Sequence, residues 1–270
     1  MGLKTSLNLI QPTLKKLKYF APTIEYRSFV HSEQFIGDIA KFSQKTGMAI
    51  NGKAISIKPI QTEEEFRIIL KELIQDSSYK WNRVENAFDY EKAIFPYAGR
   101  GDIHLDINAF LREGIILPDK TYIDLNKKNL KKYIQTLEYG LRQLDKEYGN
   151  YSGIIYRYGP FFPTTPNYVS TSSKISGALN LADKSNPCKE AYNIIFTKQG
   201  HKINEMQRRL GFKFAESESE ILLDPGKSYV ELVDNTPQLS KLKEQFFQEF
   251  RKTYPNSNLK DVKLNFWQEI

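Results

Sequence analysis

Three short segments in the second half of the chain carry side chains that could act on a charged substrate. The first ends in Arg157, which closes an apolar strand-like run just before a loop rich in Gly and Pro. A guanidinium group offers a planar fork of donors that fits phosphate oxygens, so Arg157 is a candidate clamp for a pyrophosphate. An arginine that closes a strand and simply reaches solvent would leave the same local pattern.

The second segment, residues 168–173, is a strand-like entry into a run of hydroxyl side chains. Because a hydroxyl both donates and accepts hydrogen bonds, one of these groups could orient a carboxylate on a neighbouring strand. Ser and Thr are also favoured helix N-caps, and a helix that starts near Lys174 would use them in that way. One hydroxyl run could serve both purposes.

The third segment places glutamates at alternate positions before an aliphatic run. If a strand extends through them, Glu216, Glu218 and Glu220 lie on one face of it. Crowded carboxylates repel one another and raise one of their pKa values, which suits acid–base chemistry. A polar strand edge that faces water would look the same in sequence.

The elements that must position these segments follow from hydrophobic spacing. A capping box at residues 62–65 predicts a helix, apolar residues at helical spacing over 127–147 predict a long helix, and residues 108–112 predict a short one. Thr236 followed by Pro237 predicts a last helix. Strand-like runs lie at residues 153–156, 192–196, 221–223 and 229–233. Helices first and strands later, without regular alternation, predict an α+β fold.

Composition excludes several classes of function. The chain of 270 residues has a net charge of +7, but its lysines are scattered and form no basic block with interleaved aromatics, so no nucleic acid partner is expected. One cysteine and three widely separated histidines predict neither an internal disulfide nor a metal site. There is no G-x-G-x-x-G motif or phosphate-binding loop, and no apolar run long enough to span a bilayer. Residues 1–6 fit the N-myristoylation pattern, which leaves membrane attachment through the N-terminus open.

In their order along the chain, these segments resemble the arginine–serine–glutamate class of mono-ADP-ribosyltransferases, a class that includes many bacterial toxins and injected effectors. The matching residues are Arg157, Ser170-Thr171-Ser172, and Glu218-Ser219-Glu220 leading into the aliphatic run 221–223. Residues 106–114 and 224–230 are similar to elements that flank the motifs in that class. The resemblance covers residues 85–233.

The resemblance implies a fold and a division of the chain. The fold would have N-terminal helices followed by a two-sheet β core around an NAD cleft, with residues 85–233 as the catalytic domain. Residues 1–84 would form an N-terminal extension for targeting or substrate recognition, partly packed on the core. Residues 234–270 would form a C-terminal helical extension.

The resemblance also implies roles for individual residues. The enzyme would transfer ADP-ribose from NAD+ to a side chain of a target protein, without a metal. Arg157 would hold the NAD+ phosphates, Ser170 would orient Glu220, and Glu220 would bind the nicotinamide ribose and stabilise the cationic sugar. Glu218 would engage the incoming nucleophile. The further residues expected to line the NAD+ site are Tyr158, Gly159, Thr171 and Ser172. Those expected to touch the target protein are Phe212 and Phe214.

Two features depart from the class or leave its register open. Tyr158 stands where a glycine often follows the arginine, and Glu216 adds a third carboxylate to the motif. Glu-x-Glu tends to accompany arginine as the acceptor residue, so arginine is the expected acceptor. An NAD+ glycohydrolase and a catalytically inactive binding module on the same fold are the alternatives. The chain is expected to be a monomer that is secreted by a non-classical route or injected into a host cytosol, with a cytoplasmic location as the alternative.

Overall fold

The computed structural model describes residues 57–76, 86–98, 103–113, 127–165, 167–233 and 236–270. The N-myristoylation pattern and most of the expected N-terminal extension lie outside these residues. The first helices in the described chain are α1 (Glu63–Asp76), α2 (Asp89–Ala98), α3 (Ile103–Glu113) and α4 (Lys127–Tyr148). The later helices are α5 (Ile175–Asn180), α6 (Ile203–Arg209), α7 (Ala215–Glu218) and α8 (Pro237–Thr253). The strands are β1 (Tyr151–Tyr158), β2 (Val169–Ser172), β3 (Tyr192–Gly200), β4 (Glu220–Leu223), β5 (Tyr229–Glu231) and β6 (Leu264–Glu269).

The first and last helices begin where the sequence predicts. At the start of α1 the Thr62 hydroxyl accepts from the Glu65 amide at 3.1 Å, and the Glu65 carboxylate accepts from the Gln61 amide at 3.1 Å. This reciprocal pair satisfies donors that a helix N-terminus otherwise leaves open. Thr236 caps α8 by accepting from the amide of Leu239.

The strands form one hydrogen-bonded sheet of mixed direction. Its order is β4-β2-β1-β3-β6-β5, and β3 and β6 pair in parallel while the other neighbours are antiparallel. This architecture confirms the predicted α+β class. The expected second sheet is not separate, because the six strands are continuous in hydrogen bonding.

The sheet bends far enough for non-neighbouring strands to meet. His201, just after β3, pairs with Leu222 of β4, although β2 and β1 lie between these strands in the sheet order. The concave side encloses an apolar core to which every strand contributes, with Ile155, Phe161, Val169, Ile195, Ile221, Leu223, Tyr229 and Trp267 as its members. The two halves of one bent sheet therefore pack together where the sequence resemblance implied two sheets.

Helices cover the outer face of the sheet in two groups. Helices α1 to α4, together with α6, bury apolar side chains in one cluster that also includes Leu222 of β4 and Tyr168 before β2. Helices α5 and α8 cover β1 and β3, with Phe246 and Phe250 of α8 fully buried. None of the described helices is long and apolar enough to span a membrane.

The C-terminal segment corrects one expectation from sequence. Residues 234–270 were expected to form a helical extension, but only α8 fits that description. Strand β6 is inserted between β3 and β5, and its Trp267 is fully buried in the concave core. A parallel β3–β6 pair requires a long connection, and the chain supplies it through α6, α7, β4, β5 and α8. The boundaries proposed at residues 84 and 233 stay predictions.

A buried histidine fastens the end of β3 to its neighbours. His201 Nδ1 lies 2.9 Å from Asp145 of α4, and its Nε2 lies 2.8 Å from Asp224, which follows β4. Burial lowers the pKa of His201, but the hydrogen bonds to Asp145 and Asp224 outweigh burial and raise the pKa to about 9. The folded chain therefore holds a protonated histidine between two carboxylates.

This histidine should make stability depend on pH on the alkaline side. Because the folded pKa exceeds the unfolded value of about 6.5, the stabilisation is fully present below about pH 6.5 and is lost as pH rises through about 9. The expected loss is about 3 kcal/mol of unfolding free energy, measured by urea unfolding between these pH values. His201→Gln should flatten this slope. An equal slope in that variant would contradict the assignment.

Candidate active site

Both oxygens of the Glu220 carboxylate are held by hydrogen bonds from different elements. Ser170 lies opposite Leu222 in the β2–β4 ladder, so it is a diagonal neighbour of Glu220 on the same face. The Ser170 hydroxyl donates to Glu220 Oε1 at 2.8 Å, and the Gln207 amide of α6 donates to Oε2 at 2.8 Å. Ser170 and Glu220 are thus brought together as the sequence predicts, whereas Gln207 carries no signal in the sequence.

The surroundings of Glu220 favour a carboxyl group that titrates near neutral pH. Burial raises the pKa of Glu220 to about 7, the hydrogen bonds from Ser170 and Gln207 oppose that rise, and the negative charge of Glu218 adds to it. Glu220 is half-buried, and a carboxyl group with such a pKa can be ionised at neutral pH. These conditions are typical of carboxylates at reaction centres.

Arg157 is anchored to the same strand residue that orients Glu220. Its Nη1 donates to the backbone carbonyl of Ser170 at 2.7 Å, and its Nε donates to the Pro160 carbonyl at 3.0 Å. Within the described chain, Nη2 has no hydrogen-bond partner. The guanidinium is therefore fixed on one side and has donors left for an anion on the other.

A tyrosine from the helical layer lies near these charged groups. The hydroxyl of Tyr97, on α2, is bonded to Asn108 of α3 at 2.9 Å. Burial raises the pKa of Tyr97, Glu220 raises it further, and Arg157 lowers it, so the hydroxyl lies within electrostatic reach of both. The helical layer thereby closes one side of a site whose other side is the sheet.

The glutamate motif is not a continuous strand. Residues 215–218 form α7, and β4 begins only at Glu220, so the expected alternation of three carboxylates on one strand face is wrong. Ser219 adopts a left-handed conformation with φ 45° and turns the chain between Glu218 and Glu220. Glu216 instead pairs with Arg208 at 2.6 Å on the surface. Glu218 stays near enough to Glu220 to influence its charge.

Two hydroxyls of the motif after Ser170 serve the fold. The Thr171 hydroxyl donates to the Ile221 carbonyl at 2.7 Å and so adds a hydrogen bond between β2 and β4. The Ser172 hydroxyl accepts from the Lys174 amide at 3.0 Å just before α5. The N-cap of α5 is Lys174 and has no side-chain capping bond, so the hydroxyl run does not supply the helix cap considered from sequence. Both side chains are buried. The expectation that Thr171 and Ser172 line an NAD+ site is therefore not supported by their contacts.

The loop after Arg157 is shaped by a glycine and a buried asparagine. Gly159 has φ 101°, a value that favours glycine. Its N–H donates to the Ala191 carbonyl at 2.9 Å, and its carbonyl accepts from Asn193 at 2.8 Å. The Tyr158 ring packs against Tyr192, with centroids 5.0 Å apart, and so turns away from Glu220. A ligand contact at Tyr158 or Gly159 would therefore use the backbone, and the Gly159 N–H is already bonded.

The loop between α6 and α7 carries two aromatic side chains. The rings of Phe212 and Phe214 are stacked with centroids 5.3 Å apart, and Phe95 of α2 stacks on Phe212 at 5.5 Å. Both loop phenylalanines are half-buried. The loop thus holds two aromatic rings, a few residues before Glu218, in a fixed arrangement that Phe95 supports.

Similarity to known proteins is found among solved structures. No protein-family model matches the sequence, and no curated protein matches it either. Among solved structures, HopU1 of Pseudomonas syringae pv. tomato shares 13% identity over 79% of this chain and 100% of its own, with a TM-score of 0.48. The chain is similar to solved ADP-ribosyltransferases.

Two further solved structures are similar over comparable lengths. Exoenzyme S of Pseudomonas aeruginosa, solved with human 14-3-3 protein beta and carba-NAD, shares 14% identity over 76% of this chain and 88% of its own, with a TM-score of 0.46. The Vis toxin of Vibrio splendidus shares 15% identity over 79% and 89%, with a TM-score of 0.40.

Proposed function

We propose that the chain is a mono-ADP-ribosyltransferase that cleaves NAD+ at a site built around Glu220. The observation that carries this proposal is the pair of hydrogen bonds centred on Ser170, whose hydroxyl holds Glu220 while its carbonyl holds Arg157. One strand residue thereby sets the distance between a phosphate-binding cation and a carboxylate. NAD+ contains a negatively charged pyrophosphate, and its nicotinamide ribose becomes positively charged as nicotinamide leaves. A cation suits the first group and a carboxylate suits the second.

The chemistry follows from the charges at the site. Arg157 would bind the pyrophosphate through the donors that the backbone carbonyls do not use. The bond between the ribose C1′ and the nicotinamide nitrogen breaks, and its electron pair leaves with nicotinamide. The sugar passes through an oxocarbenium-like state, which the fixed carboxylate of Glu220 stabilises. Because this carboxylate is already oriented, little reorganisation is needed as the charge develops.

Transfer to a protein needs a second group, and we assign that role to Glu218. An acceptor guanidinium would attack C1′ through a nitrogen lone pair, and Glu218 would take the proton that this nitrogen loses. Arginine is the proposed acceptor, since the motif contains Glu218 rather than glutamine. Phe212 and Phe214 would contact the target protein beside the acceptor. We further propose action as a bacterial toxin or effector in a host cytosol.

The two glutamates allow cleavage and transfer to be separated. In Glu218→Gln, nicotinamide release from NAD+ should stay within about tenfold of the unmodified chain, because Glu220 and its hydrogen bonds are retained. Labelling of proteins in a cell lysate by NAD+ should fall by about a hundredfold or more, since the acceptor loses its base. Glu216→Gln is the matched control, because Glu216 pairs with Arg208 at the surface.

The outcome distinguishes the alternatives. Equal losses of cleavage and labelling in Glu218→Gln would contradict the role assigned to Glu218. Nicotinamide release without a labelled protein in any lysate would favour the NAD+ glycohydrolase. A chain that binds NAD+ without cleaving it would be the inactive binding module.

A further inference from the structure

Gln207 is buried next to Glu220 and makes its strongest contact there. Its side chain is 1% exposed, and its Nε2 donates to Glu220 Oε2 at 2.8 Å. The same nitrogen lies 3.4 Å from the Ala98 carbonyl oxygen. An inverted amide would turn its oxygen towards both of these acceptors, so the orientation with the donor facing Glu220 is the only favourable one. At this degree of burial the amide acts through Glu220 rather than on a substrate.

The C-terminal end of α6 is locked to the helical layer. Arg209 donates from Nε to Glu91 Oε1 at 2.6 Å and from Nη2 to Glu91 Oε2, and Glu91 of α2 is fully buried. The guanidinium also lies over the Phe88 ring, 4.3 Å from its centroid. A bidentate pair of this kind fixes both the position and the rotation of the helix end. Gln207 stands two residues before this lock.

The N-terminal end of α6 is fastened to α4. The Lys202 ammonium donates to the Tyr148 carbonyl at 2.7 Å, and His201 is bonded to Asp145. A helix of two turns that is held at both ends has little freedom to shift. The Gln207 amide therefore reaches the carboxylate from a rigid support.

We propose that Gln207 is a positioning residue for NAD+ cleavage, which holds the second oxygen of Glu220 so that the carboxylate keeps one orientation towards the ribose. This inference rests on the function proposed above. Ser170 alone would leave the carboxylate free to rotate about its single hydrogen bond. The bond from α6 removes that rotation and also favours the ionised form.

The pH dependence of cleavage reports this bond. Among the described residues, the ionisable groups that act on Glu220 are Glu218 of α7 and Tyr97 of α2, and Arg157 of β1 acts on the same tyrosine. For the unmodified chain, kcat/KM should rise with pH through about 7, because Glu220 must be ionised in the free enzyme. Removing a donor to the carboxylate should move this rise to higher pH.

The test uses two variants of similar size and one control. Gln207→Met removes the donor, and kcat for nicotinamide release should fall about tenfold or more, with KM changed by less than about threefold. In Gln207→Met the rise in kcat/KM should lie at higher pH than in the unmodified chain, because the donor is lost. In Gln207→Glu, which adds a like charge beside Glu220, the rise should lie at higher pH still. Gln245→Met, at an exposed position of α8, should change neither quantity.

A second measurement needs no variant at position 207. In 15N-labelled protein, the side-chain amide signals of Gln207 should shift with pH along the titration curve of Glu220, and Glu220→Gln should abolish that shift. Signals that do not respond to pH, or a pH profile unchanged in Gln207→Met, would overturn this inference alone. A lack of NAD+ cleavage by the unmodified chain would overturn the proposed function, and this inference with it.

Discussion

Glu220→Gln is expected to lower the rate of nicotinamide release from NAD+ by at least about a hundredfold, with the fold intact. The amide has nearly the same shape as the carboxylate but cannot neutralise a positive charge that develops on the ribose. Loss of one group that acts in the transition state typically costs this much in kcat. The Ser170 hydroxyl and the Gln207 amide can still bond the new side chain, so packing should change little. Steady-state kinetics and thermal unfolding together measure the two effects.

Ser170→Ala should lower the rate of nicotinamide release less than Glu220→Gln does. It removes one hydrogen bond to the carboxylate but keeps the backbone carbonyl that holds Arg157, so the expected loss is smaller, about tenfold. Equal rates in Glu220→Gln and the unmodified chain would place the reaction elsewhere. A larger loss in Ser170→Ala than in Glu220→Gln would show that Ser170 has a role beyond orientation.

Arg209→Met should lower the free energy of unfolding by about 3–5 kcal/mol, measured by urea unfolding. The substitution leaves the Glu91 carboxylate fully buried without its bidentate partner, and an uncompensated buried charge is costly. Among the described residues, the donor that remains to this carboxylate is the Phe88 backbone amide, at 2.7 Å. Because α6 is anchored through Arg209, the loop with Phe212 should also loosen.

The adjacent arginine provides the control for this prediction. Arg208 pairs with Glu205 and Glu216 at the surface, so Arg208→Met should lower the free energy of unfolding far less than Arg209→Met does. The double variant Arg209→Met with Glu91→Met removes both charges and should recover much of the lost stability. Similar losses of unfolding free energy in Arg208→Met and Arg209→Met would contradict the view that the burial of Glu91 makes the Arg209 pair more important for stability.

The sequence predicts the parts of the site that depend on local pattern. The hydroxyl run 170–172 and Glu220 stand out because each lies next to a strand-like run, and the family resemblance then implies the pairing of Ser170 with Glu220. The antiparallel ladder makes these two residues diagonal neighbours. The alternation over Glu216 and Glu218 fails because a helical turn competes with the strand. The Ser219 amide donates to the Ala215 carbonyl at 3.0 Å, which closes that turn.

The remaining features depend on contacts between residues that are distant in sequence. Gln207 precedes Glu220 by 13 positions, and Arg209 is 118 positions from Glu91. No pattern in the sequence indicates either pairing. The place of β6 between β3 and β5 is likewise hidden, because its six residues look like any short terminal strand until they pair with β3. Tertiary packing decides these positions, so only the structure reveals them.

The most direct test of the proposed function is incubation of the purified chain with NAD+ labelled in its ADP-ribose part, together with a cell lysate and with Glu220→Gln in parallel. We expect nicotinamide release and a labelled protein that is absent with the variant, and mass spectrometry of that protein should place the ADP-ribose on an arginine. Unchanged NAD+ and unlabelled protein in bacterial and eukaryotic lysates alike would contradict the assignment of this chain as an ADP-ribosyltransferase.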